Sequence, residues 1–230
     1  MTTWTEFNEW TQRSAEIIVR GATPPNPNQY RLLLLNNLIV SRTMGRAELV
    51  SSELIQEYGY QRAIYTPAAS SYNGSKQRVE LPTTTLNFSA VGASLQWSAA
   101  VLMADSVADN SQQITAINPA SNALTIPSHG RSNGDEVAIT SIDTLASGIP
   151  ANTVLYVGVT SADTIQLYSD VARTSQVDVT SAGVGTHYLR LCKGTPVFYA
   201  NFATQLIGDG ATQPIDVQWA FLNAGNANGV

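Results

Sequence analysis

From Ser111 to about Leu191 the chain is cut into short segments by closely spaced turns. Ala123–Ile126, Glu136–Thr140, Val154–Val159, Thr164–Tyr168, Val177–Val179 and Thr186–Leu191 are rich in strand-forming residues, and clusters of Asn, Gly, Ser and Asp separate them. Short strands at such regular spacing predict a small antiparallel β-domain. The texture on either side differs. Before it, Tyr30–Leu35, Gln61–Thr66, Arg78–Leu81, Thr83–Ala90 and Gln96–Met103 are expected to be strands, and in Thr83–Ala90 polar Thr85, Asn87 and Ser89 alternate with Leu86 and Phe88. That period of two marks a half-exposed strand. After it, Val197–Phe202, Thr204–Ile207 and Ile215–Phe221 return to the longer, more aromatic style, with Gly208-Asp209-Gly210 as a tight turn. The economical reading is an insertion: residues 1–108 and 192–230 form one domain, interrupted in a loop by a second at 109–191. Chain ends lie close together in compact domains, so a loop accepts such an insertion. The expected fold is mainly β, an antiparallel β-sandwich with a short N-terminal helix and an inserted small β-domain.

Two helices are expected. Trp4, Phe7, Trp10, Ile17 and Ile18 fall mostly on one face of a helix over residues 4–19, and Thr3 with Glu6 has the spacing of a capping box. Trp4, Phe7 and Trp10 make one stripe, and the segment 21–28, with three prolines, sets the helix apart from the strand at Tyr30–Leu35. Those three aromatics are the candidate interface; the competing reading packs them on the chain's own core. A second helix is expected over Arg46–Tyr58, with Gly59 as its C-cap.

Of the 230 residues, 13% are charged and 43% hydrophobic, so Ser, Thr, Asn, Gln and Gly must fill the surface. The net charge of −5 and the lack of any Lys/Arg cluster argue against nucleic acid, whose phosphates demand clustered cations. Cys192 is the one cysteine, so no intramolecular disulfide forms. Residues 1–19 carry Glu6, Glu9, Arg13 and Glu16 and do not read as a signal peptide. The longest apolar run, Leu32–Leu35, is far short of the ~20 residues that span a bilayer, so no membrane insertion is expected.

Catalytic chemistry is hard to assemble from these residues. His129 sits in the turn Ser128-His129-Gly130 without a nucleophile-elbow pattern, and His187 sits on an expected strand. A metal would need a third ligand clustered with the two histidines; Asp135 is the candidate, but it reads more readily as a solvated turn residue. Cys192 beside Lys193 reads as a partly buried small hydrophobe at the domain junction rather than an activated thiol. Ser161-Ala-Asp163 and Gly208-Asp209-Gly210 lack the alternating acids of a calcium loop, and Gly183-Val-Gly185 opens no helix. Glu48, Glu53 and Glu57 fall on the second expected helix rather than in a groove. The expectation is a non-enzymatic protein with no cofactor and no metal.

The run Asn122–Gly130, Ser132–Val137, Ile149–Val157, Asp163–Tyr168 and Asp178–Tyr188, taken in that order, resembles a small β module found repeatedly in bacteriophage tail and other virion proteins. The flanking domain is similar, more loosely, to small β-sandwich proteins of phage tails. The likeness rests on Tyr30–Leu35, the Gly-Tyr-Gln-Arg-Ala element at 59–63, Ala100–Ala104 and the Gly-Asp-Gly turn at 208–210. The N-terminal helix departs from that pattern. The resemblance implies a virion structural protein, assembled in a host cytoplasm, and carries over no functional residues. Its expected place is a tail fibre, baseplate or host-attachment component. The alternative is a head decoration or cement protein. Expected partners are other virion proteins, copies of itself (a trimer, by analogy) and host surface polysaccharide.

Overall fold

The computed structural model describes residues 4–75, 78–108, 111–218 and 220–221. The chain divides into two compact units. The first comprises Met1–Thr43, Glu57–Ala108 and Thr195–Val230; the second comprises Met44–Gln56 and Asp109–Gly194. The fold is mainly β, with antiparallel strand pairs throughout.

In the first unit the chain runs through β1 (Thr5–Glu6), α1 (Asn8–Arg20), a short 3-10 turn at Pro27–Gln29 and β2 (Tyr30–Leu35). It continues with β3 (Ala63–Tyr65), β4 (Ser71–Asn73), β5 (Arg78–Glu80), β6 (Thr84–Ser89) and β7 (Leu95–Ala104). The second unit supplies α2 (Arg46–Ser51), β8 (Ser111–Ile114), β9 (Ala116–Asn118), β10 (Ala123–Thr125), β11 (Glu136–Ser141), β12 (Leu155–Ser161), β13 (Thr164–Tyr168) and β14 (His187–Leu191). The chain then returns to the first unit for β15 (Thr195–Ile207), β16 (Thr212–Val217) and β17 (Ala220–Phe221).

The first unit is built on a five-stranded sheet in the order β1-β15-β7-β2-β3. Leu32, Leu33, Leu34 and Leu35 are all fully buried, as are Ala99 to Ala104, so β2 and β7 are covered on both faces. This is why their sequences read as continuous apolar runs rather than alternating ones. The cover includes the ribbon β16-β6, docked by Phe88 stacked on Tyr60 at 6.1 Å, while Tyr60 Oη accepts the Leu34 N–H at 3.1 Å. It also includes α1, through Trp10 against Tyr30 at 6.5 Å. A third small sheet, β17-β5-β4, completes the unit. The turn at Gly92 follows β6, and because β6 and β7 belong to different sheets it is a corner between layers. Val197–Phe202 and Thr204–Ile207 are one long strand, β15, bent by register shifts at Pro196/Phe198 and Asn201/Gln205.

The second unit has a seven-stranded sheet in the order β8-β14-β11-β12-β13-β10-β9. Its two end strands are consecutive in the chain, separated only by Thr115, so the sheet closes on itself. Closure leaves no long free edge. Inside lie Leu124, Val137, Leu155, Val157, Ile165, Leu167 and Leu189, each at most 1% exposed. Val177–Val179 is not a strand, although Val177 donates to the Leu167 carbonyl at 2.8 Å. Gly148 is held at φ +92, where a Cβ would lie 1.8 Å from the Asp178 carbonyl oxygen.

The sequence places the domain boundaries at 108/109 and 191/192 and leaves 44–56 in the outer domain. In the structure this segment packs in the second unit. Arg46 pairs with Glu136 at 2.8 Å, and the buried Arg190 on β14 donates to the carbonyls of Glu53 and Leu54 at 3.0 and 3.1 Å. The same contact shortens the expected helix over 46–58 to Arg46–Ser51, because those carbonyls accept from a guanidinium rather than continuing a helical ladder.

Candidate functional site

The aromatic stripe is the residue set singled out from the sequence, and the structure does not place it on one helix. Thr5 and Glu6 pair with Tyr199 and Phe198 of β15, and the Phe7 N–H bonds to the Val197 carbonyl at 3.0 Å. An extended segment thus completes the sheet before α1 begins at Asn8, with Phe7 as its N-cap. The capping box fails with it, since Glu6 lies in a strand and Thr3 is outside the described residues. Sheet pairing outweighs helical spacing here because β15 offers an unpaired edge.

Each aromatic has a partner in its own unit. Phe7 is fully buried, its ring centroid 5.0 Å from that of Tyr199. Trp10 is 5% exposed against Tyr30. Trp4 is half-buried, and its indole N–H donates to the Asp216 carbonyl at 3.2 Å. Phe7 and Trp10 therefore belong to the core, and only Trp4 keeps surface that another molecule can meet. The apolar side chains that α1 does present are Ile18 and Val19, 81% and 80% exposed on its last turn. The spacing in the sequence could not separate Ile18 from the buried Trp10, because both fall on the same face of the expected helix.

Several of the titratable groups singled out from the sequence bond to backbone. His129 is buried, with Nε2 2.9 Å from the Ser161 carbonyl and Nδ1 accepting the Arg131 N–H at 2.9 Å. Both ring nitrogens face backbone, which leaves neither for a Ser128 hydroxyl. Buried His187 donates from Nδ1 to the Gly185 carbonyl at 3.1 Å. Asp135 accepts the Ser132 N–H at 2.9 Å, closing a turn, and Asp163 accepts the Ser128 N–H at 2.6 Å from a loop 35 residues away in sequence. Asp209 binds the Gly92 N–H at 2.7 Å. Cys192 is fully buried. Among the described residues no three His, Cys, Asp or Glu side chains converge to hold a metal ion, and no helix is long and apolar enough to cross a membrane.

The strongest electrostatic perturbation lies near the end of β2. Burial, reinforced by the Asp105 carboxylate, pushes the Tyr30 phenol up to about 12. Burial raises the neighbouring Tyr65 phenol as well. Asp105 is itself ion-paired with Arg13 of α1. The rings of Tyr30 and Tyr65 meet edge-on at 6.3 Å, so this cluster ties α1 to β2 and β3.

No family model, curated protein or solved structure matches the chain.

Proposed function

We propose that this chain is a non-enzymatic structural protein of a bacteriophage virion, placed in the tail as a fibre, baseplate or host-attachment component. The observation that carries the reading is the ordered likeness of residues 122–188 to the β module of phage virion proteins. The segments that bear the likeness contain β10 and β13 and parts of β11, β12 and β14. Two further features favour a structural role. The buried histidines and several turn-forming aspartates bind backbone, and the low charge leaves a surface of neutral hydrogen-bonding groups.

Mass spectrometry of purified particles of the encoding phage, followed by antibody labelling in the electron microscope, tests the reading. The expected outcome is the chain in the particle with label on the tail. Label on the head assigns it to decoration or cement, and absence from particles overturns the proposal. Copies of the chain are expected to associate as a symmetric homo-oligomer, with three-fold symmetry by analogy with phage fibres. Sedimentation equilibrium at micromolar concentration checks this; a monomer counts against self-association.

A further inference from the structure

In the first unit, β3 and β6 are each the last strand of a different sheet, and an open cleft of about 440 Å³ lies between them. That volume is within the ~300–1,000 Å³ of small-ligand sites. One end is closed by a tight approach of backbones, since a Cβ on Gly59 would stand 3.0 Å from the Ser89 carbonyl oxygen. The walls carry Gln61, Arg62 and Ile64 on one side and Thr85, Asn87 and Ser89 on the other. Gln61, Thr85, Asn87 and Ser89 are exposed, and Ile64 is 59% exposed. Tyr58, 52% exposed, adjoins the closed end, where its carbonyl accepts the Val91 N–H at 2.8 Å.

The chemistry of the walls narrows the occupant. None of the ten lining residues is acidic, so a cation finds no carboxylate on the walls. An extended peptide inserted between two strand edges needs them about 9.6 Å apart, twice the interstrand spacing. Cα atoms of β3 and β6 approach within 8 Å, which shuts out an intervening strand. A single arginine among neutral side chains does not make a phosphate-backbone track. What the walls do offer is two side-chain amides, each both donor and acceptor, on opposite sides of the cleft, beside an apolar Ile64. Sugar hydroxyls need paired donors and acceptors, and the C–H face of a pyranose needs an apolar surface. Thr85 and Ser89 add rigidity, because their hydroxyls are bonded to Asp216 and Thr212 of β16 at 2.6 and 2.7 Å.

We infer that the β3–β6 cleft is a saccharide-binding site, with Gln61 and Asn87 as its main hydrogen-bonding side chains. As a contact to host surface polysaccharide it rests on the proposed attachment role, but the wall chemistry stands without it. The absence of a carboxylate pair on the walls makes it a site for binding and not for hydrolysis.

The test uses the full chain on a printed array of neutral and acidic bacterial surface polysaccharides, with the double variant Gln61→Ala, Asn87→Ala measured in parallel. Wild type is expected to retain at least one saccharide. The double variant is expected to bind it about tenfold more weakly, with an unchanged melting temperature, as loss of two hydrogen bonds from exposed residues implies. No saccharide retained by wild type, or affinity in the double variant within twofold of wild type, overturns the site. The two readings fail separately. A chain that binds sugar through these residues but is missing from particles loses the virion role and keeps the cleft. A tail-located chain whose binding ignores both substitutions keeps the role and loses the cleft.

Discussion

Trp10 and Ile18 lie two helical turns apart on α1, yet they have opposite fates. Trp10 is buried on Tyr30, so Trp10→Ala is expected to destabilise the first unit by about 3–5 kcal/mol, and Phe7→Ala by a similar amount. Ile18→Ser and Val19→Ser should each change stability by no more than about 0.5 kcal/mol, because both side chains already face water. Urea unfolding followed by the first unit's tryptophan fluorescence separates the two classes. The phenols at the end of β2 give a pH dependence of known sign. A tyrosine whose folded value is raised above 10 favours the folded state while protonated. That contribution is fully present below pH 10 and is lost as pH rises toward about 12. The melting temperature should hold to about pH 9 and fall steeply above pH 10. Tyr30→Phe should flatten that fall; an equally steep fall in the variant would show that the phenol is not its source.

Elements in the second unit depend on single side chains reaching across strands. Arg190 satisfies the carbonyls of Glu53 and Leu54, which no helix of their own engages. Arg190→Met removes both of these hydrogen bonds and should release 44–56. Hydrogen exchange is expected to rise first in α2, before the seven-stranded sheet opens; uniform exchange across the unit would contradict that order. Gly148 is the backbone counterpart. Alanine there meets the Asp178 carbonyl at 1.8 Å and at a φ that L residues avoid, so Gly148→Ala should cost at least about 2 kcal/mol in thermal or urea unfolding.

For the whole molecule the two units meet the chain at four crossings, 43/44, 56/57, 108/109 and 194/195. Replacing only 109–194 by a Gly/Ser linker strands residues 44–56, exposing the fully buried Leu49 and Val50, and the product should aggregate. Replacing both 44–56 and 109–194 with linkers should leave a first unit that is soluble and melts cooperatively, since its own sheet and core are then intact. Calorimetry and light scattering of the two deletions distinguish the cases. Equal solubility of both would show that 44–56 is not held by the second unit.

The residues themselves determined the mainly β character, the strands Tyr30–Leu35 and Gln96–Met103, and the turn at Gly208-Asp209-Gly210. These are local matters: a period of two, an apolar run or a turn residue acts within a few positions. Pairing was decided only in three dimensions. Ser111–Ile114 and Ala116–Asn118 are too polar to announce themselves as strands, yet they close the second unit's sheet because β14 and β10 present edges to them. Trp4–Phe7 keeps helical spacing but is taken up by β15, and Arg46–Tyr58 keeps it but is cut short by Arg190. The cleft at β3 and β6 was equally hidden, since its walls come from sheets whose edges meet only after folding. Hydrogen-bond demand at a distant edge overrides local preference because an unpaired buried backbone group costs more than the few tenths of a kcal/mol by which propensities differ.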